Sequence, residues 1–516
     1  MRFFAFLCCL SGLAGWLTGC SATTGDPSWK QSYPYITVYS SPRMADLNND
    51  GVQDIIVGTG SAEWSKTDTG FVALDGKTGA LLWRVPARNQ IVGSAVLYDI
   101  TGDGTDDVII GGRSAELRAI DGATGRQLWE FFRTDSTYGH KQAGWYNFTT
   151  PQLIADQNGD GLKDLLIANG GDASVYPRDP KRPPGLLMII SSKDKRVIAK
   201  ATVPDGREIY MSPVMSDMGR PTNNPTIFFG TGGETMPGHL YRTTLRDLLR
   251  GDIANAVELA ASEDKKGFIA TPVLTDLTGD GVYDVVVNAV EGKMMAFDGQ
   301  TNQLLWDNRF RDTECYVSPV PGYFNDDDVP DFFMMHSVGV WPRFEKVVDV
   351  AFLDGKTGRI IGRHEYVDCA FTFAAPLTVD VDGDGFTEVV MGCNQQSNAM
   401  QLRPGDQFVF KLMFWDFRRR DKRFLADSLQ GVNWASTPWL GDLDKDGRTD
   451  LVCLTEATNQ YNNPEVASYQ RPLGVNVMRK LVKDFPPERI YWGGYLGNDN
   501  ASVFTRKRTK PTDVQY

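Results

Sequence analysis

A nine-residue acidic pattern, D-x-[DNT]-x-D-G-x-x-[DE], occurs in full six times in this 516-residue chain, beginning at Asp46, Asp99, Asp156, Asp276, Asp380 and Asp442. Few folds accommodate that. A partial copy holds Asn325, Asp327 and Asp331, with Tyr323 where the first Asp should stand, and a decayed copy follows Asp217. The eight starts, 46, 99, 156, 217, 276, 323, 380 and 442, lie 47 to 62 residues apart, the length of one four-stranded propeller blade with variable loops. The expected fold is all-β: a single β-propeller over 36–495 with eight four-stranded blades, seven being the alternative count.

The flanks of the acidic pattern support blades independently. Before each copy comes a short apolar segment with Ser, Thr or Pro, such as Ser94–Leu97, Thr150–Leu153, Thr271–Leu274 and Thr437–Leu440. These read as inner strands. After each copy comes a continuous β-branched run, such as Ile55–Val57, Val108–Ile110 or Val285–Val287, as expected of a strand buried on both faces. Asp75-Gly76 with Thr78-Gly79, and Asp121-Gly122 with Thr124-Gly125, then mark a hairpin, because Gly accepts the positive φ such turns need. One departure lies near 242–262, where Leu245, Leu248, Leu249, Ile253, Ala256 and Leu259 recur at helical spacing and predict a short helical insertion.

Two family resemblances meet in this repeat. The acidic half resembles the FG-GAP or VCBS repeats of integrin-type propellers. The A-x-D-x-x-T-G-x-x-x-W half, ending in Trp83, Trp129 and Trp306, resembles the tryptophan-docking motif of quinoprotein propellers, in which the Trp packs between neighbouring blades. That second likeness implies either a quinone-dependent alcohol dehydrogenase or a lipoprotein that scaffolds outer-membrane protein assembly. The dehydrogenases carry an adjacent cysteine pair on the cofactor, and here Cys8-Cys9 is the one such pair. No G-x-S-x-G, H-E-x-x-H or P-loop occurs, and His140, His239, His336 and His364 stand apart in sequence, so no catalytic site is expected.

Calcium takes six to eight hard oxygens at about 2.3–2.6 Å, which a loop supplies when alternate residues point inward around a Gly turn. In the first copy, side-chain oxygens are expected from Asp46, Asn48, Asp50 and Asp54, a backbone carbonyl from Val52, and the turn from Gly51. The same roles fall to Asp99, Thr101, Asp103 and Asp107, to Asp156, Asn158, Asp160 and Asp164, and to Asp276, Thr278, Asp280 and Asp284. Asp380, Asp382, Asp384 and Glu388 follow, then Asp442, Asp444, Asp446 and Asp450, with Asn325, Asp327 and Asp331 as the incomplete set. Clustered carboxylates repel one another, and a divalent cation relieves that repulsion. The expected cofactor is therefore structural Ca2+ at several sites, against the alternative of Asp-Gly turns satisfied by their own backbone.

The first residues point to the envelope. Met1-Arg2 and an apolar run to Trp16 read as a secretory signal over 1–19, ending in Leu17-Thr18-Gly19-Cys20, which resembles the bacterial lipoprotein cleavage box. Cys20 would carry the lipid, 20–35 would form a tether, and 496–516 a C-terminal tail. Ser21 after the cysteine resembles the outer-membrane sorting pattern, so a lipid-anchored place in the outer membrane is expected. In that compartment disulfides persist, and Cys315, Cys369, Cys393 and Cys453 allow three pairings or free thiols.

Formal net charge -12 excludes a nucleic-acid partner held by counterion release. The expected function is a binding or scaffold protein of the bacterial cell envelope or cell surface, with envelope proteins, surface proteins or glycans as partners. Alternatives are a quinoprotein-like oxidoreductase using pyrroloquinoline quinone and a periplasmic assembly-factor-like scaffold. The aromatic and polar runs Tyr138–Tyr146 and Asn459–Asn463 have the composition of recognition loops, and Arg418–Arg423 and Arg506–Lys510 are basic islands.

Overall fold

The computed structural model describes residues 26–61, 65–131, 147–171, 183–263, 265–341, 343–370, 372–396, 408–457 and 474–509. The signal, Cys20, His140, the runs 138–146 and 459–463, and Lys510 lie outside the described residues.

Eight antiparallel sheets form the eight blades. Blade 1 comprises Arg43–Ala45, Asp54–Gly60, Thr67–Leu74 and Leu81–Ala87; blade 2, Val96–Leu97, Val108–Gly111, Leu117–Ile120 and Gln127–Glu130; blade 3, Gln152–Ile154, Asp164–Asn169, Leu186–Ser191 and Val197–Thr202. Blade 4 comprises Val214–Ser216, Thr226–Gly230, His239–Thr244 and Val257–Ala261; blade 5, Val273–Thr275, Asp284–Ala289, Lys293–Phe297 and Leu304–Arg309. Blade 6 comprises Val320–Gly322, Asp331–Val340, Arg343–Leu353 and Ile360–Val367; blade 7, Leu377–Val379, Glu388–Gln396, Phe408–Asp416 and Asp421–Gln430. Blade 8 takes Trp439–Gly441, Thr449–Ala457 and Gly474–Val482 from the C-terminal side, and its outer strand is Trp29–Pro34, registered Trp29 to Arg479 and Pro34 to Gly474. Both halves of the chain thus share one sheet, which closes the ring and removes a free strand edge.

Second strands such as Asp54–Gly60, Asp164–Asn169 and Asp284–Ala289 are buried along their whole length, which explains their β-branched and apolar runs. The tryptophans weld neighbouring blades. Trp83 Nε1 donates to Gly122 O (2.7 Å), Trp129 to Ser192 O (2.7 Å), Trp306 to Gly355 O (2.8 Å) and Trp29 to Gly76 O (2.9 Å). Each reaches the turn of the next blade. Gly125 is required there, because a Cβ would stand 2.7 Å from the Trp83 ring. Between blades 4 and 5, Arg242 replaces Trp and donates to Gly299 O (2.7 Å).

The predicted helical insertion shrinks to one turn, Leu245–Leu249, capped by the Thr244 side chain accepting from the Asp247 N–H. Gly251 at φ +74° ends it, and Val257–Ala261 becomes the outer strand of blade 4. The apolar spacing served two elements: Leu245, Leu248 and Ile253 enter the core, while Leu259 packs from the strand. Of the cysteines, Cys369 and Cys393 are bonded, and Cys315 and Cys453 are buried free thiols pushed up to about 12 by burial.

Residues 490–504, which include the first part of the segment read as a tail, return to the hub. Ile490–Trp492 pairs with Leu377–Val379, Leu440 N–H donates to Gly493 O, and Leu274 N–H donates to Ser502 O. Tyr491, Trp492 and Phe504 are buried against Tyr323. Inner strands leave backbone groups facing the axis, and this segment satisfies several of them.

His336 is fully buried in blade 6, stacked on Phe310 with centroids 4.1 Å apart. Burial holds its pKa down at about 4, against about 6.5 when unfolded. Its neutral form stabilises the fold above pH 6.5, and that contribution is lost as pH falls towards 4, roughly 3 kcal/mol at most. Urea melts of His336→Phe against the parent at pH 7.5 and 4.5 should show a smaller acid loss in the variant.

Candidate functional site

Two features stand out: the acidic turns around the rim of one face and a cavity on the axis. Each full copy of the acidic pattern folds into one tight loop. In the first, Asp46 accepts from the N–H groups of Asp50 (3.1 Å) and Gly51 (3.0 Å), Asn48 from Asp50 N–H (3.0 Å) and Asp50 from Val52 N–H (2.9 Å). Gly51 holds φ +88°, a conformation that only Gly adopts without strain. The ninth residue, Asp54, is buried and accepts from Leu47 N–H (2.9 Å) and Gly76 N–H (3.0 Å), tying the loop to the Asp-Gly turn of the same blade.

The other copies repeat this. Asp99, Asp156, Asp276, Asp380 and Asp442 each accept from the N–H of the Gly five residues on. Asp103, Asp160, Asp280, Asp384 and Asp446 each accept from the residue two further on. Thr101 donates to Asp99, Asn158 and Asp382 accept from Asp160 and Asp384 N–H, and Thr278 N–H donates to Asp284. Asp107, Asp164, Glu388 and Asp450 occupy the buried ninth position, accepting from the second residue of their copies. In the incomplete copy Asn325 donates to Asp331 (2.9 Å) and accepts from Asp327 N–H. Burial pushes the ninth carboxyls up: Asp54 and Asp164 to about 6, Asp331 to about 7 and Glu388 to about 8.

The structure gathers carboxylate oxygens of Asp380, Asp382 and Asp384, of Asp382, Glu388 and Asp416, and of Asp442, Asp444 and Asp450 within 4.8 Å of one another. In these two blades arginines reach in. Arg479, 1% exposed, donates to Asp450 through Nε (3.0 Å) and Nη2 (3.1 Å) and to Asp444 through Nη2 (2.5 Å). Arg419 from the blade 7 hairpin pairs with Asp382, Asp384 and Asp416. Repeat spacing concealed both arginines, because they come from later strands and turns.

The axial cavity, about 510 Å³, was not foreseen. One residue from each blade lines it: Tyr39, Val92, Phe148, Tyr210, Ile269, Tyr316, Phe373 and Ala435. Every one of them stands two places before a Ser, Thr or Ala that itself lies two places ahead of an inner strand, namely Ser41, Ser94, Thr150, Ser212, Thr271, Ser318, Ala375 and Thr437. The signal was therefore periodic and present, but carried by the position before the repeat's apolar segment. Five of the eight are aromatic, and Tyr316 and Phe373 meet with centroids 4.4 Å apart. Arg113, Glu208, Glu234 and Tyr495 are among the polar lining groups of the cavity, with Thr235 at its edge. Behind the collar, Tyr316 donates to Glu314, which pairs with Lys266 (2.6 Å).

Residues 13–179, less than half of the chain, match the family described as outer membrane protein assembly factor BamB. FAM234B of Mus musculus is 22% identical over 346 residues, 62% of this chain and 51% of its own length. FAM234A of Bos taurus is 27% identical over 169 residues, 29% of each chain. This chain thus spans about half or less of these curated relatives. Among solved structures, a quinohemoprotein alcohol dehydrogenase from Comamonas testosteroni superposes with TM-score 0.54 at 12% identity, covering 88% of this chain and 76% of that one. A europium-containing methanol dehydrogenase gives 0.50 at 11%, covering 87% and 92%.

These neighbours correct the expectation of a non-enzyme: the shared fold is one that carries dehydrogenases, so absence of familiar catalytic motifs does not exclude catalysis. Among the described residues, the charged groups lining the axial cavity do not match pyrroloquinoline quinone, a tricarboxylate. The axial cavity presents Glu208 and Glu234 against Arg113, and the bonded cysteines are 24 residues apart in the core between blades 6 and 7. The chain is an eight-bladed β-propeller, similar in fold to quinohemoprotein alcohol dehydrogenase, and its residues 13–179 are similar to the BamB family.

Proposed function

We propose that the protein is a binding scaffold of the bacterial cell envelope, which receives a projecting segment of a partner protein in its axial cavity. The observation that carries this reading is the eight-residue collar, one equivalent side chain from each repeat, rich in aromatic rings and set four places ahead of each inner strand. Aromatic rings have few rotatable bonds to freeze on binding and offer large apolar contact. The likeness of residues 13–179 to an outer-membrane assembly factor supports the envelope setting, as does the cysteine box at Leu17–Cys20, through which a lipid would hold the chain to the outer membrane. Glycans are the other partner class that aromatic and carboxylate side chains serve.

The acidic turns, in the manner of FG-GAP or VCBS repeats, are proposed to hold structural calcium that fixes the turn between the first two strands of a blade. The copy at Asp442 already contains Arg479 and would fill last.

Filling the collar tests the scaffold. Ala435→Trp and, at the exposed rim, Thr235→Arg should each lower recovery of the crosslinked partner from native membranes at least tenfold, with melting temperatures unchanged. Equal recovery of the same partner by both variants and the parent would exclude the cavity as the binding place.

A further inference from the structure

A second cavity, about 410 Å³, lies further along the inner strands, beside Met44, Leu97 and Leu440, and is walled by the returning C-terminal segment. Its charged lining is unusual for so acidic a chain. Arg43 and Arg506 line it, and no Asp or Glu does so among the described residues. Arg43 is 5% exposed; Nε donates to Ala95 O (3.3 Å) and Nη1 to Tyr495 O (3.1 Å), while Nη2 has no hydrogen-bond partner. Its guanidinium meets neutral carbonyls and the Tyr495 ring, 5.6 Å away, and no carboxylate among the described residues. Arg506 donates to Ile490 O and lies 4.7 Å from the Tyr491 ring centroid, also without a carboxylate partner among the described residues.

A buried guanidinium without a counter-ion is costly, and proteins generally pair such a charge. The side-chain amides of Gln53 and Asn500 also line the cavity, while Asn498 holds the turn around Gly493 and Gly497 in shape, donating to Ile490 O and Tyr491 O and accepting from Gly493 N–H.

We propose that this cavity is a binding site for a small oxyanion, a phosphate or carboxylate group, held between Arg43 and Arg506. The site adjoins the axial cavity through Tyr495, which lines that cavity and accepts from Arg43, but none of its own lining residues belongs to the collar. Bound there, the anion would supply the missing counter-charge and pin the C-terminal segment, through Tyr495 and Arg506, to blade 1.

Titration of the full chain in chloride buffer with inorganic phosphate, and separately with acetate, followed by calorimetry and thermal melting, tests this. Saturating ligand should raise the Tm of the parent by at least about 2 °C. Arg506→Gln should weaken binding about tenfold, and Arg43→Met should abolish it while melting no lower than the parent in chloride, because it removes an uncompensated buried charge. A response to phosphate alone identifies a phosphate site, and a response to acetate as well identifies a carboxylate-tolerant one. Phosphate also stabilises proteins generally by exclusion from their surface. A shift of equal size in the parent and in Arg506→Gln, or no heat with either anion, would overturn the proposal.

Discussion

Excess EGTA is expected to lower the melting temperature of the protein by roughly 10–20 °C. An ion that binds only the native state stabilises it by about 2.7 kcal/mol when present at a hundred times its dissociation constant, and five full copies have no buried arginine among their carboxylates. Five such sites sum to about 13 kcal/mol, and at about 2.1 cal/mol/K of unfolding entropy per residue a propeller of this length shifts by about 1 °C per kcal/mol, which is roughly the shift stated. The cause is electrostatic. Asp54, Asp164 and Glu388 are pushed up by burial, in each case with nearby carboxylates adding to the shift, and a divalent cation reverses that balance. Scanning calorimetry in calcium, in EGTA, and in EGTA with calcium restored makes the check. An unchanged curve would mean that the loops live on their own backbone hydrogen bonds.

Arg479→Ala is expected to cost about 3–5 kcal/mol in EGTA, the largest loss of any single substitution considered. The guanidinium is the buried cation of the eighth acidic turn, whose Asp446 pairs with the more exposed Arg448, and its Nη1 also donates to Gly76 O of blade 1 (3.1 Å). Removing it leaves Asp444 and Asp450 with no counter-charge at the seam where the two ends of the chain share a sheet. Calcium should restore part of the loss in the variant by entering the vacated turn, while leaving the parent's eighth turn unaffected. Denaturant midpoints of parent and variant, each with and without calcium, form the cycle; a loss identical in both media would show that this turn has no affinity for the ion.

The blade count was legible because the repeat is local: Asp46 to Asp54 and its five full copies each mark one turn between the first two strands, so counting turns counts blades. The packing of Trp83, Trp129 and Trp306 was legible for the same reason, since the hairpin turns they dock on, Thr-Gly turns for Trp83 and Trp306 and the turn at Ser192 for Trp129, recur at a fixed place in the blade. The helix near 242–262 was over-read, because a periodicity of apolar residues does not register where Gly251 breaks the chain and a strand begins.

Local spacing along the chain, then, settles which residues turn and which strands pair with their sequence neighbours, because those interactions span a few residues. Closure of the ring by Trp29–Pro34, entry of Arg479 among the carboxylates of blade 8, return of Ile490–Phe504 to the hub, and the collar from Tyr39 to Ala435 were decided only in three dimensions. Each joins residues tens to hundreds of positions apart. Their contacts are fixed by burial and by the need to pair buried polar groups, and neither requirement leaves a mark at fixed sequence separation.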